Sequence, residues 1–116
     1  MASTLATVAP LFNTQYLTTS ADTYYTVPNA PSTNCLARGR IRFCNVTGGA
    51  ITATAYAVAS GSTPGDHNSF VNGKSVAAND ILDVDVPMLG PNQFLAAKAS
   101  ANTSLTISSI DGIVFS

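Results

Sequence analysis

The feature that most constrains this chain is the recurrence of short runs of β-branched and aromatic residues, broken by turn residues about every 8–12 positions. No window repeats apolar residues at the i, i+3, i+4, i+7 positions of an amphipathic helix. Glutamate, a good helix former, is absent, and Thr, Val, Ser and Ala are frequent. The sequence therefore predicts an all-β protein.

Runs with strand character cover residues 4–12, 16–19, 23–27, 38–46, 51–58, 70–76, 81–86, 94–99 and 105–115. Polar loops separate them, notably at 28–34 and 60–68. We expect about eight strands in two antiparallel sheets packed face to face, a jelly-roll-like β-sandwich. Residues 1–116 then form a single domain with one core, and residues 1–24 supply its N-terminal strands.

Local signals refine this prediction. Pro10 cannot donate a backbone hydrogen bond, which favours an edge position for the first strand. Gly48 and Gly49 predict a hairpin turn that joins the fourth run to the fifth as its returning partner. The alternation of the last run changes phase near Ser108 and Ser109, which predicts a β-bulge there.

Small side chains follow one face of the fifth run. Ala53, Ala55 and Ala57 alternate with larger residues, so they share one side of the strand. Such a face lets another layer approach closely. That layer is either the other sheet of the sandwich or a neighbouring subunit.

Because few residues are charged, uncharged polar side chains must form most of the polar surface of this protein. Charged residues make up 9% of the sequence, against roughly 25% in an ordinary soluble domain. A net charge of −1 leaves no basic excess to neutralise a phosphate backbone, so we expect no nucleic-acid partner. No apolar run approaches the ~20 residues of a membrane span, and the first residues do not resemble a signal peptide. We therefore expect no membrane partner and synthesis in a cytoplasm.

Reactive side chains are few. Cys35 and Cys44 are too few for a disulfide framework and are expected as free thiols, or as one bridge if the strands bring them together. His67 lies beside Asp66 in a polar loop, where a solvated histidine is expected. The sequence contains no Gly-x-Ser-x-Gly elbow and no close set of three or four metal ligands. It predicts no enzyme, no metal and no cofactor.

Asp83 and Asp85 lie two residues apart on a predicted strand, so their carboxylates share one face. With Asp80 they are a conceivable cation site, but Ca²⁺ usually takes six or more oxygen ligands. A solvated outer face of the strand is the alternative.

Arg38, Arg40 and Arg42 form a matching stripe on the fourth run, since they alternate with residues expected to face the core. Like charges on one face are destabilising unless something opposes them. The opposing group is either the Asp83/Asp85 strand within the fold or an acidic patch on a partner, and an ordinary solvated strand is a third possibility. These three arginines with Asp83 and Asp85 are the candidate interface.

From Tyr25 onward the chain contains five characteristic segments in a fixed order. They are "YTVP", "IRFCNVTGGAITATAYAVASG", "GSTPGDHNSFV", "NDILDVDVPMLGPNQFLAAKAS" and "TSLTISSIDGIVFS". This order resembles a group of small bacteriophage virion proteins, known as decoration or tail-associated proteins. The resemblance implies a virion β-sandwich with no catalytic residues.

These observations lead to a structural role. We expect a capsid decoration or cement protein, located in the virion and assembled in the host bacterial cytoplasm. Its partners would be the major capsid protein or other virion proteins, and itself as a dimer or trimer. A tail or tail-fibre adhesion component is the alternative, in which tyrosines would stack on sugars; the candidates are Tyr16, Tyr24, Tyr25 and Tyr56. A cellular binding module unrelated to phage is a third possibility.

Overall fold

The computed structural model describes residues 6–29 and 34–115, and it contains nine β-strands and one short 3-10 turn in those ranges. The strands are β1 (Ala6–Val8), β2 (Gln15–Tyr16), β3 (Asp22–Thr26), β4 (Cys35–Asn45), β5 (Ile51–Val58), β6 (Ser69–Val76), β7 (Ile81–Val86), β8 (Phe94–Ala99) and β9 (Leu105–Phe115). The 3-10 turn spans Asp66–Asn68. The predicted all-β class is confirmed.

The strands form two antiparallel sheets. Sheet A has the order β1-β9-β4-β7, with β2 also paired to β9, and sheet B has the order β3-β8-β5-β6. If β1 and β2 are taken as one interrupted strand on the β9 edge, the two sheets have four strand positions each, in the order of a jelly roll. The expected jelly-roll sandwich is therefore the observed fold.

The core lies between the two sheets. Sheet A contributes Ile41 and Phe43 from β4, and sheet B contributes Ala53 and Ala55 from β5 and Leu95 from β8, all fully buried. The alanine face of β5 therefore packs against sheet A, which decides between the two layers that the sequence left open. The small side chains let the two sheets approach closely.

The predicted hairpin at Gly48 and Gly49 is wrong. β4 belongs to sheet A and β5 to sheet B, so the two strands do not pair. β4 is already bonded to β9 on one side and to β7 on the other, and it has no free edge for a returning strand. The glycine turn instead carries the chain from one sheet to the other.

A buried asparagine organises that crossover. The Asn45 side-chain nitrogen donates to the carbonyl oxygens of Gly49, at 2.7 Å, and Val76, at 2.9 Å. Its oxygen accepts from the backbone N–H and the hydroxyl of Thr47, at 2.9 and 2.7 Å. One side chain thus bonds the end of β4 to the turn and to the end of β6 in the other sheet.

The predicted bulge in the last strand is present. The register between β4 and β9 shifts between Arg40, opposite Asp111, and Ile41, opposite Ser109, so Ile110 is the extra residue. Pro10 follows β1, which lies at the edge of sheet A as expected. Residues 4 and 5 of the first predicted run and residues 30–33 of the loop 28–34 lie outside the described residues.

The two cysteines are free, as expected. Both lie on β4, nine positions apart, and a strand rises about 3.3 Å per residue, so about 30 Å separates them. A disulfide between them within one chain is excluded by this distance. Among the described residues, no helix is long and apolar enough to cross a membrane.

Candidate functional site

Strand β4 brings the three arginines to the outer face of sheet A. Gly39 and Ile41, which alternate with them, are buried, whereas Arg38 and Arg42 are exposed and Arg40 is half-exposed. The stripe therefore points away from the core. This is the alternation that the sequence predicted.

The neighbouring strand β7 opposes two of these arginines with carboxylates. The register places Arg42 opposite Asp83 and Arg40 opposite Asp85, and directly opposed residues of an antiparallel pair share a face. Arg38, Arg40, Arg42, Asp83 and Asp85 thus lie on one surface, here called the Arg/Asp face. Two of the arginines therefore pair with the aspartates within the fold.

The Arg42–Asp83 pair is bidentate. Arg42 Nε donates to Asp83 Oδ1 at 2.7 Å, and Nη2 donates to Oδ2 at 2.9 Å. These hydrogen bonds to Arg42 lower the pKa of the Asp83 carboxyl, and the same contacts raise the pKa of the Arg42 guanidinium. The planar fork of arginine fits a carboxylate in this way, so the pair has a defined geometry.

The next pair across the sheet is looser. Arg40 Nε lies 3.2 Å from Asp85 Oδ1, and the Asp85 side chain is 76% exposed. On its other side, Arg40 is opposite Asp111 of β9. Neither Arg38 nor Asp111 has an ion-pair partner among the residues that the structure describes. Among the described residues, the Arg/Asp face therefore combines two ion pairs with one cation and one anion that form none.

Exposed apolar residues border the face at both ends. At one end, a row across the sheet begins with Ile81 of β7 and finishes with Tyr16 of β2, both about half exposed. At the other end, Val8 of β1 is opposite Ile113 of β9, which is opposite Arg38. Val8 is 71% exposed. The face therefore offers both paired charges and exposed apolar side chains to a partner.

Sequence reasoning missed Asp111 as part of this face. Leu105 and Ile107 face the core, so strict alternation would turn Asp111 inward as well. The bulge at Ile110 reverses the phase, which buries Gly112 and brings Asp111 to the outer face. The change of phase that the sequence showed near Ser108 was the signal, but it did not locate the extra residue.

The other candidates form no site. His67 is exposed in the 3-10 turn, and its Nε2 lies 3.3 Å from the Asn68 side-chain nitrogen. The Asp80 carboxylate accepts the backbone N–H of Ile81. Within residues 6–29 and 34–115, no group of three His, Cys, Asp or Glu side chains is arranged to hold a metal ion.

Comparison with known proteins gives remote structural similarities. No family model matches the sequence. No curated protein matches it either. A chain from the structure of infectious bursal disease virus Gx strain has a TM-score of 0.48 and 10% identity, over 98% of this chain and 33% of that chain. This protein thus spans about a third of that chain.

Two further structures are similar at this level. The tobacco streak virus coat protein has a TM-score of 0.46 and 11% identity, over 97% of this chain and 84% of its own. The infectious bursal disease virus VP2 subviral particle has a TM-score of 0.42 and 14% identity, over 97% of this chain and 32% of its own. The jelly-roll assignment rests on the strand order of the two sheets described above.

Proposed function

We propose that this protein is a structural component of a bacteriophage virion, a capsid decoration or cement protein that binds and stabilises the shell of major capsid protein. The observation that carries the proposal is the Arg/Asp face, where ion-paired charges lie between two exposed apolar margins on a broad sheet. The mechanism is shape fit and buried area, with no chemical step. The protein would be assembled into the virion in the host bacterial cytoplasm.

The charges of the face support a protein partner over nucleic acid. Arg40 and Arg42 are engaged by Asp85 and Asp83. A phosphate-binding surface needs cations that can release counterions, and the chain has a net charge of −1. A surface whose charges are already paired also needs fewer opposite charges on the protein that binds it.

The sequence resemblance from Tyr25 onward supports the virion assignment. The low charged fraction, 9%, is consistent with a protein that is largely covered in an assembly. The capsid is proposed because a small β-sandwich with two sheet faces suits a shell contact.

A tail adhesion role has less support from the tyrosines. Tyr56 is buried, Tyr24 and Tyr25 are half-buried, and Tyr16 is the exposed one. Sugar stacking needs an open aromatic face. Only Tyr16 meets that need, so glycan binding through several tyrosines is not the favoured mechanism.

Co-sedimentation tests the proposal. Purified protein is mixed separately with capsids and with tails that lack it, and the bound fraction is measured after centrifugation. We expect saturable binding to capsids, with a higher temperature of capsid disruption when the protein is bound. Binding to tails alone would replace the capsid assignment by the tail assignment, and binding to neither would contradict the virion role.

A further inference from the structure

We propose that the Arg/Asp face packs against the same face of a second copy of this chain, with Arg38 of each copy paired to Asp111 of the other. The inference rests on the proposed function only in taking this face as a protein interface. It names the partner of that face. A dimer of this kind would bind the shell through surfaces other than the Arg/Asp face.

The charges of the face are complementary to those of a second copy. Arg38 and Asp111 are both exposed and have no ion-pair partner within the described ranges. They lie on adjacent strands of the same face, one row apart, because Arg40 is opposite Asp111 and Arg38 is opposite Ile113. Within residues 6–29 and 34–115, the face therefore offers one cation and one anion that lie close together and form no ion pair.

Such a surface is complementary to itself. In a two-fold contact, the patch on one copy meets the same patch on the other, so residue i meets j and j meets i. Consider a two-fold axis in the plane between the facing surfaces of the two copies. If this axis is perpendicular to the line from Arg38 to Asp111 and crosses it midway, each Arg38 lies opposite the Asp111 of the other copy. Both free charges are then neutralised by one symmetric contact.

Exposed apolar side chains lie next to that pair. Val8 and Ile113 form a row with Arg38, and Val8 is 71% exposed. Large apolar side chains at this exposure gain by burial, and a second copy supplies the same side chains as their partners.

The size of sheet A limits the area that this contact can bury. The five strands of sheet A have 3, 2, 11, 6 and 11 residues. At about 3.3 Å per residue and about 4.8 Å between strands, they cover about 520 Å². Two such faces give about 1,000 Å² in total, the lower limit for a specific interface.

Exchange of the two charges tests the pairing. Sedimentation equilibrium is measured for the wild type, Arg38→Asp, Asp111→Arg and the double variant. We expect a wild-type dimer, a dissociation constant raised about tenfold or more in each single variant, and recovery in the double variant, where the opposite charges are exchanged. Lys74→Asp, an equal charge reversal on β6 of sheet B, is the control and should leave dimerisation unchanged.

Circular dichroism first confirms that each variant is folded, and Asp111→Asn replaces Asp111→Arg if that variant is not. A monomeric wild type, single variants that dimerise normally, or a double variant that stays as weak as the single ones would each overturn the proposal. Capsid binding is measured on the same samples. A dimer that binds no capsid contradicts the proposed function alone, and a monomer that binds capsids contradicts this inference alone.

Discussion

Among single residues, the two ion pairs of the Arg/Asp face differ in geometry and in exposure. The Asp83 side chain is 25% exposed and receives two hydrogen bonds from Arg42. Asp85 is 76% exposed and meets one nitrogen of Arg40 at 3.2 Å. Because water competes with exposed pairs, we expect Asp83 to contribute more to stability than Asp85.

We predict that Asp83 makes the fold sensitive to acid. Its pKa is lowered in the folded protein by the hydrogen bonds to Arg42, so its contribution to stability is present above the unfolded value near 3.8 and is lost as pH falls through the lower folded pKa. Asp83→Asn should melt at a lower temperature at pH 7 and lose less stability on acidification. Melting temperatures from pH 7 to about pH 2 measure this.

Asp66→Asn is the control for that titration. Asp66 lies in the 3-10 turn and has no ion pair among the described residues, so this variant should keep the acid dependence of the wild type. If Asp83→Asn and the wild type lose stability in parallel as the pH falls, the assigned role of the Arg42 pair is wrong.

Asn45 is the residue on which the crossover between the sheets depends. It is 1% exposed, and its side chain bonds both the turn at Gly49 and the end of β6 at Val76. We predict that Asn45→Ala lowers the free energy of unfolding by about 2–4 kcal/mol, because polar groups lose their partners in a buried setting. Chemical denaturation measures the loss, and the exposed Asn13→Ala should change it by less than about 0.5 kcal/mol.

At the scale of elements, β9 is the strand that holds sheet A together, since it pairs with β1, β2 and β4. Gly112 of β9 is opposite Gly39 of β4, and Leu11, from the segment between β1 and β2, packs over both. Two adjacent glycines leave the space that this leucine fills. The segment between β1 and β2 is therefore attached to the sheet by a fit of shape.

We predict that Gly112→Ala disrupts this fit. An added Cβ would lie 2.5 Å from Leu11 Cδ2 and 3.2 Å from the carbonyl oxygen of Ala9, so the segment must move. Overpacking of this kind costs about 1–3 kcal/mol. Gly48→Ala is the matched control, because a Cβ there meets nothing within 4 Å. Equal stability of the two variants, measured by thermal and chemical unfolding, would refute the prediction.

For the molecule as a whole, the jelly-roll topology joins distant parts of the chain. β1 pairs with β9, and Ala6 is opposite Phe115. Both edges of β4 are hydrogen-bonded only when β7 and β9, which come later in the chain, have paired with it. Contacts between residues so far apart in sequence form late. Closing the long loop between two such residues costs conformational entropy before their contact stabilises the fold.

We predict refolding of the chain in milliseconds to seconds, and not in microseconds. Stopped-flow far-ultraviolet circular dichroism after dilution from denaturant measures the rate, since the chain has no tryptophan to report by fluorescence. If the whole change were complete within the dead time of mixing, local contacts would dominate folding and the prediction would be wrong.

The sequence by itself determined the class of fold and most strand positions. The period-2 alternation of residues is a local property, so the runs 51–58, 81–86, 94–99 and 105–115 match β5, β7, β8 and β9. Alternation also determined that Arg38, Arg40 and Arg42 share a face, and that Asp83 and Asp85 share one.

Tertiary structure alone decided which strands are neighbours. It also decided on which side of the sheet the residues after a bulge lie. The turn at Gly48 is compatible with a hairpin, yet β4 and β5 lie in different sheets because β4 is bonded on both edges. Asp111 reaches the Arg/Asp face only because Ile110 is inserted opposite β4. Strand pairing is set by contacts between residues far apart in the chain, and those contacts compete for the same backbone edges. A local sequence pattern contains no information about that competition.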